Sequence, residues 1–325
     1  MQIGQIARSL FVVFGVAVAC GGACAQAPIK GPIHILVGFA AGGTTDVAGR
    51  LIADRIRDTV GQPVVVENKV GAGGRIAAEA LKTAPADRST LLLVPIAVPV
   101  LAPLVFRQLG YDPAKDFAPV AHVANYQIAF AVSATHPART VREFVAWAKA
   151  DPRRTSFGTP ASGSVPHFFG MLVGQSTGIE MVHVAYKGIA PLAIDIAGGQ
   201  IPAGVSALSD LLELHHAGRI RILATSGARR SPQLSAVPTF REQGFPAIEG
   251  TGWIAFYAPA RTPKAVIDAW STVVARTVQE PDTRARLADL GLEPTGTTPE
   301  ELAAIMAADT ARWAPVIKAS GFSAD

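Results

Sequence analysis

Apolar and polar positions follow two periods along this chain, and the switches between them mark out its elements. Ile33 to Phe39 is an apolar run of strand length. From Asp46 to Val60, apolar residues recur at Val47, Leu51, Ile52, Ile56 and Val60, one stripe of a helix that Gly61 stops. Val64 to Glu67 reads as a strand, Ile76 to Ala84 as a helix and Leu91 to Val94 as a strand. Strands and helices in turn predict βαβ units, and so an α/β fold with a mostly parallel sheet.

A second set follows. Strands are expected at Ile128 to Val132, Thr155 to Gly158, Val182 to Val184, Ile201 to Val205 and Ile220 to Thr225. Helices are expected after Thr140, with Glu143 completing a capping box, from near Ser164, and up to about Ala197. Thr262-Pro263 and Thr298-Pro299-Glu300-Glu301 each pair an N-cap with proline at the first helical position. No repeat or flexible linker separates the two sets. The chain is therefore expected to cross between two halves on strands, with Trp253 to Tyr257 as the return, making a hinge and a cleft.

Composition narrows the class. With 49% apolar and 17% charged residues, the chain is neither disordered nor a coiled coil. The net charge of +4 is a small excess, and no Lys/Arg run exceeds two residues, which argues against nucleic-acid binding. Arg8, the apolar stretch Phe11 to Ala19 and Ala23-Cys24-Ala25 read as an export signal over residues 1–25. A buried first helix and lipid attachment at Cys20 are the alternatives. Both cysteines, Cys20 and Cys24, fall in this segment, so cleavage after Ala25 leaves no disulfide, thiolate metal site or Cys nucleophile.

Two loops carry candidate chemistry. Phe39-Ala40-Ala41-Gly42-Gly43-Thr44-Thr45-Asp46 joins the first strand to the first helix, where Asp46 or a preceding threonine can cap. Phe157-Gly158-Thr159-Pro160-Ala161-Ser162-Gly163-Ser164 has the same build. Both sit at the carboxyl ends of strands, where ligands bind in such sheets, and each opens a helix N-terminus that favours an anion. Neither contains Lys or Arg, so an anion there would be held by N–H groups, hydroxyls and water. Two ordinary tight turns remain the plain alternative. Val70-Gly71-Ala72-Gly73-Gly74-Arg75 begins like a dinucleotide fingerprint, but Ile76 stands where a small residue is needed. The histidines show no metal spacing, and His167, three residues after Ser164, fits packing better than a catalytic base.

In order and spacing, these motifs resemble those of the Bug family, the tripartite tricarboxylate transporter substrate-binding receptors. The resemblance runs from about Pro32 to Phe322. It includes Gly61-Gln62-Pro63, Gly71-Ala72-Gly73-Gly74, Tyr111-Asp112-Pro113, Val182-His183-Val184-Ala185-Tyr186-Lys187-Gly188, Gly198-Gly199-Gln200 and Val237-Pro238-Thr239. It implies a periplasmic, monomeric, two-domain clamshell of residues 28–126 plus 252–325 and 127–251. A small organic carboxylate would be held between the domains for a membrane transporter, without catalysis, cofactor, metal or nucleic acid. The implied ligand-binding set is Phe39, Ala41, Gly42, Thr44, Asp46, Ile96, Thr159, Ala161, Ser162, Gly163, Ser164, His167, Tyr186 and Ser206.

Some positions depart from the family. Val94-Pro95-Ile96-Ala97 replaces a polar turn, and Ser206 stands where an aspartate able to pair with a ligand ammonium is usual. Together they predict a carboxylate with an apolar body near Ile96 and no ammonium requirement. A signalling receptor and an exported enzyme with His167 as base are the competing functions.

Overall fold

The computed structural model describes residues 31–324; the export segment and Cys20 lie outside them. Along the chain run β1 (Ile33–Val37), α1 (Thr44–Val60), β2 (Val64–Asn68), α2 (Arg75–Thr83), β3 (Thr90–Pro95), α3 (Ala102–Val105), α4 (Pro113–Asp116) and β4 (Phe117–Ser133). Next come α5 (Val141–Lys149), β5 (Ser156–Thr159), α6 (Val165–Thr177), β6 (Val182–Ala185), α7 (Ile189–Ala197), β7 (Ala203–Ala207), α8 (Leu208–His216) and β8 (Ile220–Thr225). The chain closes with β9 (Thr251–Pro259), α9 (Lys264–Gln279), α10 (Pro281–Asp289), β10 (Leu292–Pro294) and α11 (Pro299–Ser320).

The strands are ordered β2-β1-β3-β9-β4-β7-β5-β6, with β8 and β10 also paired to β4. The ladders β1/β2, β1/β3, β5/β6 and β5/β7 are parallel, as strands joined by helical crossovers should be. Every ladder involving β4 or β9 is antiparallel. The result is two parallel units joined through an antiparallel centre. β4 belongs to both: Phe117 to Gln127 pairs with β9, whereas Ile128 to Ser133 pairs with β7 and β8. The pattern announces only its second half. The first half carries register shifts at Pro119/Ala121 and His122/Ala124, which break the period of two.

Most of the core follows the apolar stripes. Ile52 and Ile56 of α1 pack with Ile35 of β1 and Val274 of α9 in one cluster. A larger cluster joins Leu92 and Val94 of β3 to Phe130, Phe168 and Trp313. Trp313 brings α11 edge-on to Phe169 of α6, so the last helix braces both halves. Three local expectations change. Thr298 and Glu301 form the full capping box, but Glu143 reaches back to Arg139 N rather than to Thr140. Pro263, not Thr262, is the N-cap of α9, and Thr262 Oγ1 is buried without a hydrogen-bond partner among the described residues. The short α10 and β10 carry too little periodic sequence to be read from the pattern.

Candidate functional site

The first loop is built around one carboxylate. Asp46 is 1% exposed and accepts from Gly42 N at 2.9 Å, Arg50 Nε at 3.1 Å and Asn68 Nδ2 at 2.7 Å. Burial works to raise its pKa, but these hydrogen bonds and the Arg50 charge hold it below the usual carboxylate value. Asn68 also donates to Phe39 O, tying the loop to β2. The helix begins at Thr44 with Gly43 as N-cap and no side-chain cap. Asp46 therefore shapes the loop rather than capping by its own side chain at the N-cap, as a threonine would. The glycine-rich turn after β2 has a packing role: a Cβ on Gly38 would lie 2.6 Å from Gly74 Cα.

The second loop is fastened from below. Thr159 Oγ1 donates to Ala161 O at 2.9 Å, and Ser164 Oγ donates to the same carbonyl at 2.7 Å. With its proton so used, Thr159 Oγ1 accepts from His183 Nε2 at 2.7 Å. Gly163 N donates to His167 Nδ1 at 3.1 Å, and the two imidazoles stack at 3.7 Å between centroids. Burial and the His183 ring push His167 down to about 3, and burial pushes His183 down to about 4, so both stay neutral. The Ser164 hydroxyl meets a carbonyl, not the His167 ring, so no serine–histidine pair forms.

Between the loops lies a cavity of about 180 Å³ at the carboxyl ends of β1, β3, β5 and β7. Thr44 and Thr45 contribute from the first loop, and Pro160, Ala161, Ser164 and Pro166 from the second. Pro95, Ile254 and Tyr126 close the centre, and Ser206, Ala207, Ser209 and Asp210 the side. A larger cavity, about 680 Å³, lies between α1 and α10 among charges such as Arg55 and Asp58. It touches neither of the two loops.

Of the expected residues, the cavity wall gathers Thr44, Ala161, Ser164 and Ser206. Ala41, Gly42, Ser162 and Gly163 belong to the same loops but do not line it in this conformation. Thr159 is fully buried beneath the second loop, with His167 behind it. Phe39 lies against Gly74, and Tyr186 donates to Asp195 Oδ2 at 2.7 Å. Ile96 is misplaced by the sequence reading: it is 0% exposed within the core, and its N–H donates to Trp253 O. Its neighbour Pro95 and Ile254 supply the apolar surface instead.

Tyr126 and Asp210 are among the wall residues that escape the sequence reading. Tyr126 reaches the cavity by crossing Gly252, where an added Cβ would lie 2.2 Å from Tyr126 Cζ. Gly252→Ala is expected to push the phenol aside, weaken ligand binding about tenfold and cost about 1–3 kcal/mol. Melting with and without ligand checks both effects. Asp210 stands one helical turn after Ser206 and accepts its hydroxyl at 2.6 Å. The spacing of four at the start of a helix was the available signal. The inference of no ammonium requirement, drawn from Ser206 alone, loses its basis here, since the wall does hold a carboxyl group.

Two parallel units whose strand–helix loops line one cavity have the fold of the periplasmic binding proteins. The chain belongs to the tripartite tricarboxylate transporter family receptors, whose family model matches residues 48–322. It is 31% identical to Protein BugT of Bordetella pertussis, over 96% of this chain and 97% of that one. A Rhodopseudomonas palustris protein solved with adipate superposes with a TM-score of 0.83 at 34% identity, covering 91% of this chain and 99% of that one. MatC from Rhodopseudomonas palustris, solved with bound malate, gives 0.78 at 27% identity over 89% and 99%. The family is one of periplasmic substrate-binding receptors, not enzymes.

Proposed function

We propose that this receptor captures one small organic carboxylate between two lobes and delivers it to a tripartite tricarboxylate-type transporter. The lobes are residues 28–126 plus 252–325 and residues 127–251. The change of strand partners at Gln127/Ile128 in β4 and the start of β9 at Thr251 support these limits. The observation that carries the reading is the cavity shared by the two loops, with threonine and serine hydroxyls but no basic side chain on its wall.

The carboxylate is taken by loop N–H groups at the starts of α1 and α6, together with the Thr44 hydroxyl. A helix N-terminus supplies partial positive charge and free donors without a cation. Ala41, Gly42, Ser162 and Gly163 join when the lobes approach. A ligand touching both loops favours the closed state in proportion to its extra contacts there, and so shifts the population toward it. Export of residues 26–325 after cleavage of the signal segment puts the receptor in the periplasm.

Ligand at about a hundred times its Kd stabilises by about 2.7 kcal/mol. For a protein of this size the melting temperature rises by several degrees. A thermal-shift screen of residues 26–325 against small carboxylates is expected to give such a rise. If no carboxylate moves the melting temperature, even after unfolding and refolding to strip a retained ligand, the reading fails.

A further inference from the structure

We infer that Asp210 selects a ligand whose far end carries a positively charged nitrogen, so that the preferred solute is a zwitterionic amino-carboxylate rather than a dicarboxylate. This rests on the carboxylate-receptor reading and concerns the other end of the same ligand. The cavity wall holds one ionisable acid, Asp210, and no Lys, Arg or His. Ser206 donates to Asp210 Oδ2 at 2.6 Å, and this neutral hydroxyl offsets none of the charge. Tyr126, the other titratable group on the wall, feels the Asp210 charge and is itself raised, first by burial and then by that charge. Tyr126 thus stays a neutral phenol, and it is the Asp210 carboxylate that disfavours a second anion beside it.

The electrostatics decide between ligand ends. A carboxylate brought against Asp210 must either repel it or force one of the two to take up a proton. Burial has already raised the Asp210 carboxyl, against the pull of the Ser206 hydroxyl and the Ala207 N–H. An ammonium relieves that burden, because it supplies the missing opposite charge beside a half-buried carboxylate. Asp210 also sits in the first turn of α8, where a carboxyl can simply cap the helix. Capping alone predicts no dependence of ligand ranking on its charge, and this separates the two roles.

The test compares adipate, 6-aminohexanoate and hexanoate by calorimetric titration, and likewise succinate, 4-aminobutanoate and butanoate. Within each series only the far end changes. The protein is expected to bind the amino-carboxylate on the order of 30-fold more tightly than the dicarboxylate. Asp210→Asn keeps an acceptor for Ser206 but no charge, and is expected to remove that preference. A dicarboxylate that binds as tightly as its amino partner overturns the inference, as does a preference that survives in Asp210→Asn. The ranking on the unaltered protein needs no variant to fold. If dicarboxylates bind well and are preferred, the receptor reading stands and this inference alone falls. If no carboxylate of any kind binds, the receptor reading itself fails.

Discussion

As the pH falls from about 6.5 to 4, the protein is expected to lose stability steeply, with the stacked pair His167 and His183 a main cause. Both rings are held neutral in the fold, at about 3 and about 4, by burial and, for His167, by its neighbour. The unfolded chain takes up a proton at each below about 6.5. Folded pKa values below unfolded ones mean that the unfolded state binds more protons in this window, so stability rises with pH across it and falls on acidification. His122, pushed down to about 4 by burial, adds a third imidazole in the same sense. Three such groups give a slope of roughly 4 kcal/mol per pH unit near pH 5. Asp210 and Asp309, both raised by burial above the ordinary 3.8, act in the opposite sense from that value upward and offset part of the slope. His183→Gln keeps a donor for Thr159 and removes one titration. Its urea-unfolding free energy should fall with pH less steeply, by about 1.4 kcal/mol per pH unit. Identical slopes in the two proteins would rule out His183 as a contributor.

The same residues show what could be read from sequence and what could not. The loops at Phe39 to Asp46 and Phe157 to Ser164 were legible because strand, small residues and helix follow one another locally. Their burial pattern repeats along the chain. The support beneath the second loop was not, because His183 reaches Thr159 from a neighbouring strand across 24 positions. Tyr126 and Ile254 meet at the cavity only through the antiparallel β4/β9 centre, whose bulges hide its register from any period of two. The side of the chain that Ile96 faces is not legible, because an apolar residue after a strand can turn to ligand or to core. Here its N–H binds Trp253 O and its side chain joins the core. Asp210 is legible only when the strand's last residues are read together with the helix turn that follows them. A charge absent at Ser206 reappears four residues on, within hydrogen-bond reach.

Asp46→Ala is expected to give the largest loss at a single loop position, in both stability and binding. Its two oxygens serve Gly42 N, Arg50 Nε and Asn68 Nδ2, and Asn68 also holds Phe39 O. Alanine leaves these donors without their shared acceptor, and the loss is about 3 kcal/mol. At roughly 2–4 °C per kcal/mol for a large domain, the melting temperature should fall by about 6–12 °C. The loop bearing Thr44 and Thr45 then loses its anchor at the cavity, and affinity for a carboxylate ligand should drop more than about tenfold. Arg50→Ala is the control. Its side chain is half exposed, so its ion pair with Asp46 contributes about 1 kcal/mol or less and the loop keeps its Gly42 and Asn68 bonds. Because Asp46 is held below the usual carboxylate value, its contribution is present above about pH 4 and is lost as pH falls through the folded value. Below that point the gap between the variant and the unaltered protein should narrow by the share that the charge contributes. A gap of unchanged size from neutral to acid pH would mean that the charge of Asp46 contributes nothing to it.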